Sequence, residues 1–68
     1  MSRFTAKQKL AEAERELAYR HRVYRRLVST GKMKLEEAQR RIGIMTEIVD
    51  DYRNAASDEP DLFKRNIT

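Results

Sequence analysis

The chain has 68 residues, 38% of them charged and 40% hydrophobic, with a formal net charge of +4, two glycines, one proline and no cysteine. A chain this short supports one domain with a thin core, burying only about 60% of its unfolded surface. A disulfide framework and thiolate-bound zinc are excluded. No apolar run approaches the ~20 residues of a membrane span, and the start MSRFTAKQKL has no hydrophobic signal core. A soluble, cytoplasmic protein made of amphipathic helices is expected.

The first helix is predicted to open at Thr5, whose hydroxyl can accept from the Gln8 amide while the Gln8 side chain reaches back, a capping box. Phe4 can cover that first turn. Ala6, Leu10, Ala13, Leu17, Tyr24, Leu27 and Val28 recur at three- and four-residue spacing and mark one helix face. Arg20 and His21 interrupt the stripe. Glu12, Glu14 and Glu16 precede Arg20, Arg22, Arg25 and Arg26, an order that favours the helix dipole. The pattern gives a helix of about 24 residues, roughly 36 Å long.

Ser29-Thr30-Gly31-Lys32 is the break, with Gly31 suited to a left-handed helix end. So short a loop implies antiparallel neighbours. Lys34 is a poor N-cap, but Glu36 and Glu37 fall in a first turn, where negative charge is favoured. Leu35, Ala38, Ile42, Met45, Val49, Tyr52 and Ala56 then alternate by three and four, the seam of one helix packed along another.

A second ridge, Ile44, Ile48 and Ala55, lies roughly 90° around that helix. A hairpin covers one seam well, so this ridge predicts a dimer interface in a twofold homodimer, with a widened hairpin contact as the alternative. The expected fold is all-α: an antiparallel two-helix hairpin over residues 1–56, dimerising into a four-helix bundle. Residues 57–68 form a C-terminal turn and tail. Pro60 breaks the second helix, and Leu62, Phe63 and Ile67 make the tail apolar enough to fold back over the bundle or dock a partner.

An enzyme is hard to assemble here, with one His, no Cys, no glycine-rich phosphate loop and no ordered nucleophile, base and orienting acid. No catalytic residue, metal ligand or cofactor site is assigned, and no cofactor is expected. His21, next to Leu17 and Val28 on the helix, is read as a partly buried imidazole near the core. The adjacent pairs Glu36-Glu37 and Asp50-Asp51 point to different sides of a helix and make no catalytic dyad.

Charge is more informative. Residues 15–26 hold five Arg and one Glu, a local +4, whereas residues 33–57 hold four basic and five acidic side chains, a local −1. Arg15, Tyr19, Arg22 and Arg26 are spaced four, three and four apart, so they form one outward ridge, flanked by Val23. These five residues are the candidate partner-binding surface, because Arg and Tyr combine large contact area with directional hydrogen bonding. A solvated face with intrahelical pairs such as Glu16 to Arg20 is the plain alternative. Phosphate contact is compatible with +4, but two long antiparallel helices do not present a DNA-reading helix at a steep angle, and aromatic stacking platforms are missing. Specific nucleic-acid recognition and membrane association are therefore not expected.

Arg22-Val23-Tyr24, Leu27-Val28-Ser29-Thr30-Gly31-Lys32-Met33, Ala38, Arg41-Ile42, Met45, Ile48-Val49 and Asp51-Tyr52 resemble a pattern found in small helical-hairpin proteins of tailed phages and prophages. The resemblance covers roughly residues 6–53. Where such proteins often carry Pro after the Tyr and Ser or Thr before the second helix, this chain has Arg25 and Lys34. In size and style the chain is also similar to the quorum-sensing anti-activators of Mu-like Pseudomonas phages, which bind a LuxR-type transcription regulator and a pilus assembly ATPase of the host. That resemblance implies a non-enzymatic, phage-encoded inhibitor acting on a host protein in the bacterial cytoplasm. A basic nucleic-acid-binding accessory, or a structural or adaptor helical dimer, is the alternative. Glu59-Pro60-Asp61-Leu62-Phe63 looks like a peptide that docks the bacterial sliding clamp, without its initial Gln.

Overall fold

The computed structural model describes residues 3–57. Its regular structure is two helices, α1 (Ala6–Ser29) and α2 (Leu35–Ser57). The pairing of Arg20 with Arg41 and of the earlier Glu14 with the later Arg53 shows that they run antiparallel. No strand is present among the described residues. The predicted turn at Pro60 and the apolar tail with Leu62, Phe63 and Ile67 lie outside them.

Both ends of α1 are fixed locally. The Gln8 amide donates to Thr5 Oγ1 at 3.1 Å and the Thr5 amide to Gln8 Oε1 at 2.8 Å, the reciprocal bonds of a capping box. At the other end Gly31 has φ 77°, its amide donates to the Val28 carbonyl at 3.1 Å, and the Lys32 amide donates to the Leu27 carbonyl at 2.8 Å. This is the Schellman pair of bonds, which needs a left-handed residue at the position Gly31 occupies. Glu36 and Glu37 supply charge at the start of α2, where Lys34 contributes only its carbonyl, accepting from the Ala38 amide at 3.0 Å.

Among the described residues the buried side chains are Ala13, Ala38, Met45, Val49 and Ala56, with Val49 2% exposed. Three of the five are alanines, which let two helix backbones approach closely but bury little apolar area. The densest packing joins Ala13, Met45 and Val49 to the partly buried Leu10, Leu17 and Tyr52. This core therefore sits toward the open end of the hairpin, away from the loop.

Several expectations need correction. Leu35 belongs to the seam by spacing but is 55% exposed, because it is the first residue of α2, at the end of the helix. His21 is exposed, not partly buried: it stands at the margin of a shallow cleft with Tyr24, Val28 and Ile42. The dipole argument holds for α1 only at its C-terminal end, where Arg26 lies in the last turn; the first turn holds no acid, and the effect fades beyond one turn. Glu12, Glu14 and Glu16 instead pair with Arg15, Arg53 and Arg20.

Candidate interaction surfaces

Arg20, read from sequence as an interruption, connects the two helices. Its Nε lies 2.8 Å from Glu16 Oε2, and its terminal nitrogen donates to the Arg41 carbonyl at 3.0 Å. The guanidinium supplies donors to both at once, so an arginine at the edge of the core is satisfied and its stem covers apolar surface. Nothing in the spacing of α1 alone could identify Arg41 as the acceptor.

The outward ridge of α1 is real as a surface. Arg15, Tyr19, Arg22 and Arg26 are all exposed, Tyr19 by 49%, and Val23 beside them is half-buried. The Arg22 guanidinium carbon stands 5.8 Å from the centre of the Tyr19 ring, within the range of a cation–π contact. The ridge is not uniform, however. Arg15 is bonded to Glu12 at 2.6 Å, whereas Arg22 and Arg26, like Arg25 outside the ridge, have no carboxylate partner among the described residues. Uncompensated charge is thus concentrated toward the loop, where Lys32 and Lys34 are also exposed. Sequence reasoning put Arg15 in the binding set and left Arg25, Lys32 and Lys34 out of it.

The second surface lies on α2. Ile44 is 46% exposed, Ile48 37%, and Ala55 is exposed. The ridge stands as a largely exposed apolar strip at the edge of the hairpin contact. Ile48 also walls an open apolar groove of about 840 Å³ that runs between the helices over Ala13, Met45 and Tyr52 to Phe4, with Glu12 and Glu16 on its rim.

No family model, curated protein or solved structure matches this chain. Among the described residues, no three His, Asp or Glu side chains gather where a metal ion could be held. No helix among them is long and apolar enough to cross a membrane. What the described hairpin presents is two kinds of surface: a basic, aromatic ridge on α1 and an apolar strip on α2.

Proposed function

We propose that the chain is a non-enzymatic, phage-encoded protein that dimerises through the Ile44–Ile48 strip and inhibits a host protein by binding it through the basic ridge. The observation that carries this reading is Tyr19, half exposed beneath the Arg22 guanidinium and followed by arginines that have no carboxylate partner among the described residues. Such a surface suits an acidic protein patch: the arginines steer and pair with carboxylates, while Tyr19 and Val23 supply a drier centre. The resemblance to phage anti-activators makes a LuxR-type transcription regulator the first target to examine, and a pilus assembly ATPase the second.

Pull-down from a bacterial lysate with nuclease present tests the reading. One host protein should remain bound at physiological salt, since an interface with an apolar centre is only partly screened. Recovery of nucleic acid alone before nuclease treatment, with affinity falling by orders of magnitude as salt rises, would instead support the accessory reading that the uncompensated arginines also favour.

A further inference from the structure

The apolar strip of α2 belongs to a longer heptad pattern. Arg41, Ile48 and Ala55 recur at intervals of seven, and Glu37, Ile44 and Asp51 recur at seven between them, so the six alternate by four and three along one line of the helix. All six are exposed: the Arg41 and Glu37 side chains by 51% and 45%, Ile44 and Ile48 by 46% and 37%, and Asp51 and Ala55 likewise. The line lies about 60–100° around α2 from the buried Met45 for its apolar members, so the hairpin leaves it open.

We infer that a second copy of this chain covers the line, with the two α2 helices antiparallel about a twofold axis near Thr46, so that Arg41 of each copy pairs with the partner's Asp51. This rests on the reading that the hairpin dimerises through Ile44 and Ile48, and specifies its direction and register. In a parallel pairing each position meets its own counterpart, which sets Arg41 on Arg41, Glu37 on Glu37 and Asp51 on Asp51, three repulsive layers of six. Antiparallel pairing joins the two heptad series instead. Ile44 then packs on the partner's Ile48 twice, Arg41 meets the partner's Asp51 twice, and Glu37 faces the partner's Ala55. Every layer is either apolar, oppositely charged or a carboxylate beside a small residue.

The side chains are prepared for this pairing. Arg41 uses its Nε on Glu37 at 3.3 Å, which leaves the two terminal nitrogens available. Asp51 has no ion pair or side-chain hydrogen bond among the described residues. Among the described residues the neighbouring base is Arg53, which is occupied by Asp50 and Glu14. An unpaired carboxylate and a half-used guanidinium, placed symmetrically about two exposed isoleucines, are what a self-complementary interface requires.

The test uses the full chain, whose lack of cysteine makes introduced thiols unambiguous. Light scattering at micromolar concentration should give the dimer mass; a monomer would overturn dimerisation and this register together. Arg41→Cys mixed with Asp51→Cys and oxidised should yield the mixed disulfide, in a dimer that keeps one intact Arg41–Asp51 pair. Arg41→Cys alone should not cross-link, since the two copies of that position would lie about 15 Å apart along the axis, beyond the ~7 Å a disulfide spans. Arg41→Asp should weaken the dimer about tenfold, and adding Asp51→Arg should restore it to within about threefold. A stable dimer in which Arg41→Cys cross-links to itself, or in which the double reversal fails to restore affinity, overturns the antiparallel register while leaving dimerisation standing.

Discussion

The two ends of the hairpin differ in how their charges and apolar groups are spent. At the open end Ala13, Met45 and Val49 are buried, with Leu10, Leu17 and Tyr52 packed around them, and Glu14 bridges to Arg53 across the helices. At the loop end Ala38 is buried, Leu35 is exposed, and Arg22, Arg25 and Arg26 have no carboxylate partner among the described residues. The open end holds the packed core, and the loop end carries more of the basic charge that is unpaired among the described residues. The packed core and the arginines without carboxylate partners among the described residues are therefore separated along the hairpin, whereas the α2 strip, with Ile44 and Ile48 beside Met45 and Val49, lies level with the core.

Substitution at the open end should therefore have the largest effect. Val49→Asp would bury a carboxylate with no partner, at a cost of several kcal/mol. Because a core of this size supplies only ~3–5 kcal/mol, the helical circular dichroism signal should be lost at room temperature; a cooperative melt close to that of the parent would show that this core does not hold the hairpin. Changes on the α1 ridge should act on binding instead. Tyr19→Ala and Arg22→Ala are each expected to weaken capture of a partner by about 1–3 kcal/mol with the helical signal unchanged. Arg22→Lys keeps the charge but removes the planar fork, so a loss there points to bidentate pairing. Undiminished binding by the Tyr19→Ala, Arg22→Ala double mutant would leave the ridge a solvated face.

Between these extremes lies the loop itself. Gly31→Ala meets no steric obstacle but must hold φ near 77°, so a loss of about 1–2 kcal/mol in thermal or denaturant unfolding is expected. A neutral result would mean that the turn relaxes out of the Schellman geometry at little cost. The smallest effect should come from Arg53→Ala. Its bonds to Glu14 at 3.2 Å and Asp50 at 3.0 Å join half-exposed groups, and exposed pairs contribute about 0–1 kcal/mol. A larger loss would place much of the open end's stability in that bridge and not in the apolar packing.

The helices and the turn between them were legible because each depends on neighbours in sequence. Thr5 and Gln8 are three residues apart, Glu16 and Arg20 are four, and the left-handed turn needs only a glycine at position 31. The seam from Ala38 to Ala56 was readable for the same reason, since 3.6-residue periodicity aligns those side chains whatever lies opposite. Leu35 and His21 defeated the same rule. Periodicity says which residues share a face but not how far along the helix the opposing surface extends or which positions fall at its edge.

For the candidate surfaces the division is similar. The order Arg15, Tyr19, Arg22, Arg26 already places one ridge on one face of α1, and Ile44 with Ile48 a second strip on α2. Which charges on the ridge remain uncompensated depends on side-chain reach. Glu12 takes Arg15, Glu16 takes Arg20, and Glu14 reaches across to Arg53. The sequence by itself determined the two helices, their caps and their antiparallel order, because these follow from bonds and spacings of at most a few residues. Only the tertiary structure decided that Arg20 would donate to the Arg41 carbonyl, that the core would gather at the open end, and that Ile44 and Ile48 would stay uncovered. Those outcomes depend on the level at which two helices meet, and that level is fixed by packing between residues more than twenty positions apart.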